Sequence, residues 1–126
     1  MPQGQVTVMK PHSIHTPAEV HATVMGAIDW LEANPDKHIG GALAKTRAGG
    51  KVVSVQSEQA DCFCAIGRIA HDAGFDDDEP GFGDKLRDFL SFANAEPVLT
   101  IRINDQHVLM GRKDMALANL RNYLLW

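Results

Sequence analysis

Cysteine is scarce in this chain: two among 126 residues, Cys62 and Cys64. A disulfide-stapled scaffold is excluded by that number, and one residue apart on a predicted helix the two side chains point to different faces. Both are expected to be free thiols in a reducing cytoplasm. Long apolar runs are absent too, so no segment is expected to span a membrane. The N-terminus lacks a basic stretch followed by an apolar one, so no secretory signal is expected. Nor is there a basic excess. Twelve Lys and Arg face sixteen Asp and Glu for a net charge of −4, and only Arg112-Lys113 are adjacent. A nucleic-acid partner is not expected, because phosphate binding calls for a concentrated basic face. Neither phosphate-cradling glycine motif is present.

What the chain does carry is the patterning of a single α+β domain, about four helices packed on a small antiparallel sheet. Residues 16–126 form that domain and residues 1–15 an N-terminal arm or edge strand. Thr16-Pro17-Ala18-Glu19 places Thr at an N-cap, Pro at the first helical position and Glu at the third, which combines a capping box with a favoured proline. Val20, Val24, Ala27, Ile28 and Leu31 then recur at helical spacing up to Asn34-Pro35. Further helices are predicted over Gln59–Ala73, Asp84–Ala95 and Lys113–Leu125.

Strand character falls in Val52–Val55, β-branched and preceded by Gly49-Gly50, and in Val98–Ile103, which alternates in the period of two. Val108–Met110 or Val6–Val8 supplies an edge. The predicted core comprises Val24, Ile28, Leu31, Ile66, Ile69, Leu86, Phe89, Leu90, Ile101, Ile103, Leu117 and Leu120. Gly67 lies inside a helical stripe, where it costs roughly 1 kcal/mol relative to Ala. Such a glycine predicts close approach by another backbone.

Chemistry-bearing residues are few. Cys62 or Cys64, with His107 as base and Asn104 or Asp105 as orienting group, has the residue types of a Cys-His-Asn thiol site. Against it, neither cysteine sits in a nucleophile motif, and Cys62 falls at a core position of the helical stripe. For Asn104-Asp105 the competing role is closing a turn. His12, His15 and His21 are close in sequence but do not supply two pairs of converging ligands, so they are taken as surface imidazoles and no metal is expected. Asp76-Asp77-Asp78-Glu79 lacks the alternating oxygen ligands of a calcium loop. No cofactor is expected.

The order of these features resembles a family of uncharacterised small domains from actinobacteria and their phages. The residues that carry the resemblance are Trp30; Gly41-Ala42-Leu43-Ala44; Gly49-Gly50; Cys64-Ala65-Ile66-Gly67; Ile103-Asn104-Asp105; and Val108 to Leu124, spanning Val20 to Leu124 in all. It departs in Ile103, where an aromatic residue is common, in the additional Cys62, and in a longer acidic loop. The resemblance implies a fold and a phage or mobile-element setting, and no activity. It aligns Cys64, not Cys62, with the family cysteine.

The functional expectation is a noncatalytic protein-interaction module that binds a host protein or a second copy of itself, as a homodimer. The thiol enzyme is the alternative. Tyr123-Leu124-Leu125-Trp126 cannot all lie on one helical face, so Tyr123, Leu125 and Trp126 are the candidate partner-binding residues.

Overall fold

The computed structural model describes residues 16–125. Its first helix, α1 (Pro17–Ala33), starts where its caps dictate. Thr16 Oγ1 accepts from the Glu19 amide at 3.1 Å, and Glu19 Oε1 accepts from the Thr16 amide at 2.9 Å. Val20, Val24, Ala27, Ile28 and Leu31 are buried, the stripe read from the sequence. Asn34 ends the helix and a single 3-10 turn, Pro35–Lys37, leads the chain to His38.

The only sheet among the described residues has two short antiparallel strands, β1 (Ala44–Lys45) and β2 (Cys62–Phe63), with Ala44 opposite Phe63 and Lys45 opposite Cys62. His38 joins β2 as a parallel bridge, and the Ile39 amide donates to the Phe63 carbonyl at 3.0 Å. Val52–Val55 is not a strand: Val52 makes one bridge to Lys45 and the rest is loop. That loop has other work. The Gln56 carboxamide donates to the carbonyls of His71 and Phe75 at 3.1 and 2.9 Å, which closes the end of the following helix.

Helix α2 (Ala65–Ala73) begins six residues later than the periodicity suggests, because Cys62 and Phe63 are strand and Cys64 is the N-cap. It ends at Gly74, in the left-handed region at φ 83°. Helix α3 (Phe82–Ser91) buries Leu86, Phe89 and Leu90, with Phe89 edge-on to Phe75.

The largest departure is α4 (Pro97–Val108), a helix across both predicted strands Val98–Ile103 and Val108–Met110. Pro97 opens it at the first helical position, and Thr100, Asn104 and Val108 form its buried stripe. Ile101 and Ile103, predicted core, are only half-buried, whereas the other ten predicted core residues are buried. Helix α5 (Lys113–Leu124) returns antiparallel to α4 and buries Ala116, Leu117, Leu120 and Leu124. Five α-helices and a two-stranded antiparallel sheet thus make up the described fold: α+β, with one helix more than expected and less strand. Helices α1, α2, α4 and α5 pack on one another in a ring of neighbours. Val6–Val8 and the rest of the 1–15 arm lie outside the described residues.

Candidate functional site

Polar chemistry concentrates where α4 crosses the start of α2. Asn104, fully buried on α4, uses its whole carboxamide. Its Oδ1 accepts from His38 Nε2 at 2.6 Å and from the Ala65 amide at 3.2 Å. Its Nδ2 donates to the Ile39 carbonyl and to Asp105 Oδ1, both at 3.0 Å. The orientation is therefore forced: the atom facing two acceptors is nitrogen, and the atom facing the Ala65 N–H is oxygen. An oxygen acceptor in turn requires His38 Nε2 to carry the proton. His38 Nδ1 is then a bare lone pair, buried and without a partner among the described residues. Burial holds the His38 pKa below its ordinary value; the Asn104 hydrogen bond opposes this, and Lys113 adds to it. The ring is neutral at pH 7.

Cys64 sits beside this knot as N-cap of α2, its Sγ accepting from the Gly67 amide at 3.3 Å. That N–H contact favours thiolate, but burial outweighs it and pushes the thiol up to about 11. Gly67 is where a second backbone comes in. A Cβ there would overlap the Leu43 carbonyl oxygen and stand 2.7 Å from its carbon. The same Leu43 oxygen accepts from the Cys64 amide at 3.2 Å. The close approach expected from the sequence is made by the 40–43 segment.

These contacts leave a cavity of about 230 Å³, lined by Gly41, Ala42, Leu43, Cys64, Ile101 and Asp105. Apart from the Cys64 sulfur and the Asp105 carboxylate, the side chains around it are aliphatic. The three segments Gly41–Ala44, Cys64–Gly67 and Asn104-Asp105, far apart in sequence, meet around it.

The structure brings together Cys64, Asn104 and Asp105 of the candidate thiol site and leaves out the other two. Cys62 faces Lys45 across the sheet, buried, with its pKa raised by burial and then by Asp61. His107 lies on a different side of α4, where its Nε2 accepts from Asn119 Nδ2 at 2.9 Å. The histidine in this neighbourhood is His38, which no periodicity or motif marked; it follows Asn34-Pro35 in a segment with no repeating pattern. Asn104 and Asp105 do not close a turn; they are mid-helix.

At the C-terminal end, the Tyr123 hydroxyl accepts from the Glu96 amide at 2.9 Å, Leu124 is buried, and Leu125 packs half-buried against the core. Trp126 lies outside the described residues, as do His12 and His15; His21 is exposed on α1. Asp76, Asp77 and Asp78 cluster with carboxylate oxygens within 4.8 Å of one another. Hydrogen bonds from Ser54 Oγ to Asp76 and Asp77, and from the Val55 amide to Asp77, tie this loop to the 52–55 segment. The Asp78 amide, then Ser54, hold the Asp76 carboxyl below its ordinary pKa.

No family model, no curated protein and no solved structure matches this chain. Among the described residues, no helix is long and apolar enough to cross a membrane.

Proposed function

We propose that this is a noncatalytic protein-interaction module whose contact face is α4 and the cleft beside it. One observation carries the reading. Val98, Leu99, Leu109 and Met110 are all exposed, Val98, Leu109 and Met110 by 66, 67 and 63%, and all sit at the two ends of α4. Exposed apolar side chains at both ends of one helix, with an aliphatic cleft beside it, have the composition of a contact surface. The chain-terminal residues offer less, because Tyr123 and Leu124 already serve the domain's own packing.

The thiol-enzyme alternative is weakened by its own residues. A thiol near 11 is thiolate in roughly one molecule in ten thousand at pH 7. Asn104 and His38 are turned toward each other and toward backbone, and His107 is not at the site. A phage or mobile-element origin is supported by the Gly41–Ala44, Cys64–Gly67 and Asn104-Asp105 resemblance. Residence in the cytoplasm is supported by the two free cysteines.

The test is affinity capture from a host extract with the wild type, Leu109→Ser/Met110→Ser and Cys64→Ser. A protein partner held by the wild type and by Cys64→Ser but lost by the double variant is the expected result. Equal retention by the double variant would overturn the α4 reading. Rapid reaction of Cys64 with a thiol reagent in the native protein would reopen the enzymatic one.

A further inference from the structure

The exposed face of α4 has an internal order that selects one occupant. Val98, Arg102, Asp105 and Leu109 recur at i, i+4, i+7 and i+11, so they lie within an arc of about 60° on the helix surface. Val98, Arg102 and Leu109 are exposed and Asp105 is half-buried at the rim of the cavity. Along the stripe the chemistry runs apolar, cationic, anionic, apolar. Neither Arg102 nor Asp105 forms an ion pair among the described residues, although Arg47, Arg68, Arg87 and Arg121 all do.

Such a stripe is complementary to its own reverse. A two-fold axis passing between Ile103 and Asn104, perpendicular to the helix, sets Val98 against the second copy's Leu109 and Arg102 against the second copy's Asp105. Symmetry makes each contact twice. A parallel pairing places Arg102 on Arg102 and Asp105 on Asp105, and so is disfavoured by like charge. We propose that the occupant of the α4 face is a second copy of this chain, docked through α4 antiparallel to α4. The proposal rests on the reading of α4 as the contact face and names its partner.

The pairing also completes the cleft. Asp105 lines it, so the second copy's Arg102 enters at its mouth, with the guanidinium on the carboxylate and the aliphatic stem over Ile101. Leu99 and Met110, both exposed, flank the stripe and widen the contact. A 12-residue helix runs about 18 Å. Pairing over that length covers less than the roughly 1,200–2,000 Å² of a standard interface, so the dimer is expected to be weak, dissociating in the micromolar range.

Sedimentation velocity of the purified protein across that range tests it. The wild type is expected to shift from monomer to dimer, while Arg102→Asp and Asp105→Arg, each alone, weaken dimerisation at least about tenfold. Mixed in equal amounts, the two variants are expected to form a heterodimer, because one ion pair is restored in its original sense and the other with its signs exchanged. Asp105 also accepts from Asn104, so a second pair, Val98→Glu and Leu109→Lys, repeats the mixing experiment without touching that contact. A wild type that stays monomeric overturns the proposal, as does a single variant that dimerises as tightly as the wild type or a mixture of folded variants that associates no better than either alone. If extract capture still depends on Leu109 and Met110 while the pure protein is monomeric, only the identity of the partner has failed. If neither holds, the α4 reading has failed as well.

Discussion

Asn104 is the residue on which the most segments depend. Its carboxamide accepts from His38 and donates to the Ile39 carbonyl on the chain entering the sheet, accepts from the first amide of α2, and donates to its own neighbour Asp105. Replacing it with Ala leaves the Ala65 N–H and the His38 Nε2–H buried without their partner, and the part-buried Ile39 carbonyl without its donor. Each such group costs about 1–3 kcal/mol, so Asn104→Ala is expected to lose on the order of 3–5 kcal/mol, a large share of a typical domain's stability. Asn104→Asp keeps Oδ1 and loses the donor to Ile39, so it is expected to be intermediate only if His38 protonates to meet the new charge. Urea midpoints for the two variants measure both. A loss below about 1 kcal/mol for Asn104→Ala would show that the knot is dispensable.

At the scale of elements, Gly67 was legible and α4 was not, and the difference has a physical cause. A glycine inside an apolar helical stripe predicts a backbone close by, and Leu43 is that backbone. Gly67→Ala is therefore expected to destabilise by about 1–3 kcal/mol or more, through overpacking against a carbonyl that has no free rotation to yield. Thermal unfolding reads this directly, and an unchanged midpoint would mean that the 40–43 segment moves aside at no cost. The capping box and stripe of α1 are equally legible, because caps and periodicity there agree. In α4 they conflict. Its core-facing stripe, Thr100-Asn104-Val108, is mostly polar, with Thr100 Oγ1 donating back to the Glu96 carbonyl at 2.7 Å. The apolar residues Val98, Leu99, Ile101 and Ile103 fall on its flanks and outer face. A pattern search for apolar alternation thus finds a strand, since the signal of a helix is carried by residues that hydropathy scores as solvent-facing. The same inversion hid the site. The sequence presents Asn104-Asp105 as a turn, Cys64 as a thiol candidate, and His38 as nothing at all, because a buried hydrogen-bond knot has no sequence period.

His38 extends the consequence to the whole molecule, because it is placed where α1's exit, the sheet and α4 meet. The groups facing it are Asn104 from α4, Asp105 from the next position, and Lys113 from the start of α5, which also donates through Nζ to the Pro35 carbonyl. Burial lowers its pKa in the fold, so between the ordinary value of 6.5 and the depressed one the unfolded chain binds a proton that the folded chain refuses. Stability rises with pH wherever the unfolded state holds more protons. The contribution is therefore intact above about pH 6.5 and is lost progressively as pH falls below it, levelling off once the folded ring itself protonates. Protonation in the fold would place a second N–H, on Nδ1, where no acceptor stands among the described residues. His38→Gln keeps an N–H donor for Asn104 Oδ1 without a titrating group. It is expected to be less stable than the wild type near neutral pH, since the amide fills the ring's space poorly, but to have a shallower fall in stability between about pH 7 and pH 5. The urea midpoints of both proteins across that interval decide the matter. Parallel curves would assign the acid sensitivity to other histidines, and a steeper curve for the variant would mean that the sign is reversed and the buried ring is charged.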